Sequence, residues 1–204
     1  MKYLFKKWWL LLLVATALLG ASCSTQQVDD ANKLDLKAKK DELVSKFFGS
    51  QSEELQKSVL IPVQLSSHVD GDTSKFLLND QEITVRYLLI DTPETVKPNT
   101  PVQPFGSEAS DRTKELLETA SVIEIMLDKG NEKDKYDRVL GYVFIDGELL
   151  QDILVREGLA RVAYVHEPST TYLQQLEQSQ EQAKQQGIGI WSIEGYVTDR
   201  GFQE

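Results

Sequence analysis

Between residues 59 and 145 the chain alternates short apolar runs with turn residues, and this rhythm restricts it to folds built on small strands. Residues 59–68 are apolar with a break at Pro62, and they end near Asp70-Gly71, a turn signal. Residues 75–78 and 82–90 predict two more strands, joined at Asn79-Asp80-Gln81. A loop over 91–105 carries Pro93, Pro98, Pro101 and Pro104. Residues 107–120 have helical spacing through Ala109, Thr113, Leu116 and Leu117. Strands over 122–127 and 138–145 flank a charged loop over 128–137, and Asp146-Gly147 turns the chain. Residues 149–157 predict a short helix stopped by Gly158. Residues 161–165 are extended, and 170–186 form a polar helix ended by Gly187.

The pattern predicts an α+β fold that is mainly β, with five strands, a helix between the third and fourth, and two helices late in the chain. A five-stranded Greek-key barrel of OB type with three helices is one of several α+β arrangements that fit. Residues 24–58 are polar and mixed in charge, and read as a stalk. The expected organisation is a leader at 1–22, Cys23 and stalk to 58, a folded domain at 59–192 and a tail at 193–204. In that tail Tyr196, Val197 and Phe202 are able to pack back on the domain.

The N-terminus reads as an export signal. Lys2, Lys6 and Lys7 precede an apolar stretch from residue 8 to 19, shorter than the ~20 residues a membrane-spanning helix needs. Gly20-Ala21-Ser22 then leads directly to Cys23, the single cysteine. This resembles a bacterial lipoprotein signal, in which the cysteine is acylated and anchors the chain to a membrane. Gly20 departs from it, since a large aliphatic residue usually stands there. Cleavage by an ordinary signal peptidase is the alternative.

Net charge is −10, and residues 59–192 alone carry twelve Lys/Arg against twenty-two Asp/Glu. Proteins that coat nucleic acid neutralise phosphates with basic patches, so this composition argues against non-specific storage of DNA. It leaves room for an enzyme that grips one phosphate locally.

Four segments offer chemistry: Asp70-Gly71-Asp72-Thr73; Arg86 with Asp91-Thr92-Pro93-Glu94; Lys133-Asp134-Lys135-Tyr136-Asp137-Arg138; and Ala163-Tyr164-Val165-His166. Hydrolysis of a phosphodiester needs an electrophilic phosphorus, stabilisation of developing charge and a placed water. Carboxylates holding a hard cation, arginine forks and one further carboxylate supply those needs. Singly, each segment has a structural reading as a turn, helix cap, ion pair or solvated loop. His68 and His166 are too few and too scattered for a zinc site.

Taken together, the segments resemble the staphylococcal nuclease family in order and spacing. The run from Arg86 to Thr95, Lys135-Tyr136-Asp137-Arg138, the run from Phe105 to Ser110, the run from Leu154 to Ala160 and the closing Ile190-Trp191-Ser192 all match. The resemblance covers about 134 of the 204 residues. It implies an OB-fold barrel and a calcium-dependent endonuclease of DNA or RNA that leaves 3′-phosphate ends. It implies Asp72, Asp91 and the backbone carbonyl of Thr92 as Ca²⁺ ligands, and Glu94 at the attacking water. Arg86 and Arg138 correspond to the pair on the scissile phosphate, Lys135 and Tyr136 to a phosphate-contacting pair, and Tyr164 to an aromatic beside the base. The expected arrangement is a monomer with nucleic acid as substrate and a lipid tether at Cys23 to a membrane.

The departures matter. Asp137 stands where the family usually has glycine, His166 where tyrosine is common and Glu167 where lysine occurs, and the loop from Lys97 to Pro104 offers little positive charge. The main competing reading is a catalytically weak or inactive OB module that binds nucleic acid at the cell surface. A degenerate copy would be expected to lose Arg86, Glu94 or Arg138, and all three are present.

Overall fold

In the first strand, β1 (Ile61–Asp70), alternate residues Ile61 and Val63 point inward while Pro62 and Gln64 face water. This computed structural model describes residues 59–95 and 101–203. Cys23, the leader, the stalk and loop 96–100 lie outside the described residues. β1 is long enough to serve two neighbours. Its first residues pair with β5 (Ile123–Leu127), as in Ile61↔Ile125, and its remainder pairs with β2 (Thr73–Leu78). Irregularities between Leu65 and Ser67, and between His68 and Asp70, bend the strand between them.

β2 returns through Asn79-Asp80 to β3 (Gln81–Tyr87). Both turn residues have positive φ, 48° and 64°, a backbone that matches the twist of a tight hairpin. β5 pairs antiparallel with β6 (Val139–Ile145), and β6 pairs parallel with β3 through Val85↔Val139. The ring β3-β2-β1-β5-β6 thereby closes on itself. This is the OB-type five-stranded barrel, with the parallel closure that its Greek-key order requires. Phe76, Val85, Ile125 and Val143 fill it and are wholly buried.

β4 (Ile90–Asp91) is a two-residue strand after β3. Helix α1 (Gly106–Thr119) follows, burying Ala109, Thr113 and Leu117 on one face. A short strand β7 (Glu148–Leu149) extends from β6 into α2 (Leu150–Arg156), whose Leu150, Leu154 and Val155 are fully buried. β8 (Arg161–Val162) pairs with β4. Helix α3 (Leu173–Gln186) buries only Leu176 and Ala183, so much of its docking is polar. Ser179 donates to Asp152 on α2 at 2.6 Å, and Gln180 Oε1 accepts from Val162 N–H at 2.7 Å. A 3₁₀ turn (Gly189–Ser192) and a hairpin, β9 (Val197–Thr198) with β10 (Gly201–Phe202), end the chain.

Two strands predicted as continuous are interrupted. The run 82–90 breaks after Tyr87, because Leu89 adopts a left-handed backbone at φ 65°. The run 161–165 stops after Val162, and Tyr164 is left-handed at φ 52°. Both interruptions face the same cleft.

Candidate active site

In an unbroken strand, residues five apart point to opposite faces. Arg86 and Asp91 would therefore diverge. The left-handed Leu89 re-aims the chain and brings them together: Arg86 Nη2 lies 3.9 Å from Asp91 Oδ1 and 3.0 Å from Asp72 Oδ2. Arg86 also secures the bend. Its Nη1 donates to Tyr87 O at 2.7 Å and its Nη2 to Ile90 O at 3.0 Å, so its guanidinium closes over both ends of the break.

Asp72 comes from the β1–β2 turn. Its Oδ1 accepts from Thr73 Oγ1 at 3.0 Å, and its Oδ2 accepts from Thr92 N–H at 3.3 Å. The turn lies flush against Thr92: a Cβ on Gly71 would sit 2.6 Å from Thr92 Oγ1, so only glycine permits the approach. Thr113 of α1 pins the same turn by donating to Gly71 O at 2.8 Å. Asp70, buried, accepts from Gly71 N–H and from Thr95 Oγ1, tying the turn to the segment that carries Glu94.

Asp91 is held from across the β4–β8 pair. Arg161 Nε and Nη2 both reach Asp91 Oδ2 at 2.9 Å, and only 11% and 13% of the two side chains are exposed. Burial pushes the Asp91 carboxyl above its ordinary range; Arg161 opposes this, neighbouring Asp72 adds to it, and Arg86 again opposes it. Two carboxylates in repulsion, with oxygen donors only, suit a hard divalent cation. Among the described residues no group of three or more His, Cys, Asp or Glu forms a fuller metal cage. The fit is thus to a cation with few protein ligands. Thr92 itself is buried, and its Oγ1 has no hydrogen-bond partner.

Glu94 is clipped through its backbone. Its N–H donates to Gln103 Oε1 at 2.8 Å, and its carbonyl accepts from Gln103 N–H at 3.0 Å. A Cβ on Gly106 would lie 3.0 Å from Glu94 O, so the start of α1 also presses against this segment.

The second arginine stands on the loop before β6. Arg138 donates from Nε and Nη2 to Asp134 Oδ2 at 2.8 and 2.7 Å, and its backbone N–H donates to Asp134 Oδ1 at 3.0 Å. Burial tends to raise the Asp134 carboxyl, but these bonds and one from Tyr136 N–H hold it below the usual range. The parallel register Arg86↔Leu140 places Arg138, two residues earlier, on the same side as Arg86. Tyr136, 68% exposed, has two cations near its ring, with Lys135 Nζ at 4.9 Å and Arg138 Cζ at 5.5 Å from its centre. Tyr164 presents an exposed ring 5.4 Å from Arg86 Cζ.

One cleft of about 890 Å³ collects these groups. Asp72, Arg86, Asp91, Glu94, Lys135, Tyr136, Arg138 and Tyr164 all line it, as does His166. A family model described as "Staphylococcal nuclease homologue" matches residues 84–193, more than half of the chain. This chain belongs to the staphylococcal nuclease family.

Several relatives resemble it closely. The SPbeta prophage-derived endonuclease YokF of Bacillus subtilis is 53% identical over 143 residues, 70% of this chain and 48% of YokF. Endonuclease YncB of the same organism is 51% identical over 70% of this chain and 67% of YncB. A thermonuclease of Staphylococcus hyicus is 44% identical over 61% of this chain and 72% of that protein. The chain thus spans about half the length of YokF.

Membership of the staphylococcal nuclease family makes sense of Asp137. Its backbone is left-handed at φ 65°, the conformation for which glycine is the default residue. Aspartate tolerates it better than most side chains do. Its carboxylate is 82% exposed and paired with Lys133 Nζ at 2.8 Å, so its charge is partly compensated. Sequence reasoning gave no role to Arg161 or Gln103 and read Asp134 only as part of a charged segment, although each holds a candidate site residue in place. Asp91 and Arg161 are seventy positions apart, and only the β4–β8 pairing joins them.

Proposed function

We propose that this chain is a calcium-dependent nuclease that hydrolyses phosphodiester bonds of DNA or RNA and leaves 3′-phosphate ends. The supporting observation is the convergence of two arginines, the Asp72–Asp91 pair and Glu94 on one cleft. The names of the relatives, endonuclease and thermonuclease, point the same way.

Asp72 and Asp91, with the Thr92 carbonyl, would hold the cation. A Ca²⁺ ion held there would supply Lewis acidity toward the phosphate. Glu94 orients a water and takes its proton as the water oxygen bonds to phosphorus. The P–O5′ bond breaks, the 5′ oxygen takes a proton from solvent water and leaves as a hydroxyl, and the phosphate stays on the 3′ side. Arg86 and Arg138 donate to the phosphate oxygens as charge accumulates on them, which lowers the barrier. Lys135 and Tyr136 contact a neighbouring phosphate, and the Tyr164 ring offers a face to a base. Few protein ligands imply weak calcium binding, on the order of 10⁻⁴ to 10⁻³ M.

Purified residues 24–204 should cut single-stranded DNA with calcium and not with excess chelator. Binding without cleavage in calcium would support the inactive-module reading instead, and full cleavage in chelator would remove the metal from the mechanism. The chain acts as a monomer tethered to a membrane by acylated Cys23. Mass spectrometry of the membrane fraction tests the tether, and an unmodified Cys23 thiol refutes it.

A further inference from the structure

The family match ends at residue 193, yet the chain continues into a folded hairpin that returns to the site. Tyr196 is 4% exposed and donates from its hydroxyl to Pro104 O at 2.7 Å. The hairpin then closes through Gln203 N–H to Tyr196 O at 2.8 Å and Thr198 Oγ1 to Gly201 O at 3.0 Å. Its Phe202 ring packs 5.4 Å from the Tyr196 ring and 5.7 Å from Arg161 Cζ. A Cβ on Gly201 would lie 3.9 Å from Arg161 Nη2. The hairpin therefore walls in the guanidinium that grips Asp91.

We propose that Arg161, backed by the C-terminal hairpin through Phe202, is a positioning residue that fixes the Asp91 carboxylate for the cation. The inference rests on the calcium-dependent reading above. Arg161 directs Nε and Nη2 to Asp91 Oδ2, which leaves Oδ1 facing Arg86 and the cleft. One oxygen is thus reserved for the protein and the other for the site. Aromatic packing over the guanidinium keeps Arg161 from rotating toward solvent. A carboxylate oriented beforehand loses less freedom when it binds an ion, and losing such outer partners typically weakens metal binding by about 10- to 100-fold.

The test compares Arg161→Met, Phe202→Ala and Phe202→Tyr in the full chain. Calcium affinity is measured by calorimetric titration with calcium chloride, without substrate, and each variant is melted with and without calcium. Arg161→Met should bind calcium about tenfold more weakly, even though a repelling cation has been removed. Phe202→Ala should lose about threefold, the scale of one cation–π contact, and Phe202→Tyr should restore wild-type affinity. A role for Arg161 as a bare charge predicts the opposite sign, tighter calcium binding by Arg161→Met. A purely structural role predicts lower melting temperatures with unchanged affinity in the folded range. Either outcome overturns the proposal. If the wild type itself neither binds calcium nor cuts DNA, the nuclease reading falls first and this inference falls with it.

Discussion

Replacing Arg86 by lysine separates the bracing contacts of this side chain from its proposed catalytic role. Its guanidinium, 11% exposed, holds Tyr87 O, Ile90 O and Asp72 Oδ2 together. An ammonium keeps the charge but lacks the planar fork, and from this position it can serve about one of the three. Two charge-assisted bonds are then lost, each about 1.5 kcal/mol at the low end of their range. Water entering the cleft recovers part of this, leaving a cost of about 2 kcal/mol. For a domain of this size that lowers Tm by roughly 4–8 °C. Lost transition-state donation should lower kcat by roughly 10²-fold or more as well. Arg138→Lys should show the same loss of kcat with little change in Tm, because Arg138 braces no strand break and is 33% exposed. Thermal unfolding and steady-state kinetics on single-stranded DNA, at one fixed salt concentration, read the two effects separately. An Arg86→Lys variant with wild-type Tm refutes the bracing role, and one with wild-type kcat refutes the catalytic role.

Glu94→Gln should lower kcat by at least about 10²-fold while calcium binding by calorimetry stays within a factor of about three, because the backbone clip from Gln103 persists. Asp137→Gly should lower KM with kcat nearly unchanged, since it removes repulsion felt equally by substrate and transition state. It should also leave Tm unchanged or slightly raised, because glycine suits φ 65° and the lost pair with Lys133 is exposed. A change confined to kcat contradicts this account. His68, whose Nε2 lies 2.8 Å from Ser110 Oγ, has its pKa pushed below 6.5 by burial, against the pull of Asp70, Asp111 and Glu118 and with help from Lys114. The unfolded chain therefore takes up this proton first, and stability falls as pH drops below about 6.5. His68→Gln should flatten that part of a denaturant-melt series across pH, and an unchanged slope would exonerate His68.

What the sequence alone makes readable follows from local physics. Strand alternation, the Asn79-Asp80 and Asp146-Gly147 turns and the stops at Gly158 and Gly187 are properties of a few neighbouring residues, and each lies where the pattern placed it. The candidate site was legible because Asp72, Arg86, Asp91, Glu94 and Arg138 stand at family spacing within short motifs. The break at Leu88-Leu89 was not legible. Tyr87-Leu88-Leu89-Ile90 is four apolar residues with every mark of a strand, and a left-handed leucine is unfavourable by itself. Tertiary contacts stabilise it: Leu88 and Leu89 are buried, Leu89 O accepts from Ala163 N–H, and Arg86 captures the carbonyls on either side. Arg161 was equally silent, since nothing near it in the chain distinguishes a surface arginine from one closing on Asp91. Composition and periodicity report on neighbours in sequence. The orientation of one carboxylate depends on a strand seventy residues away and on a hairpin at the end of the chain, and only the folded barrel brings them to it.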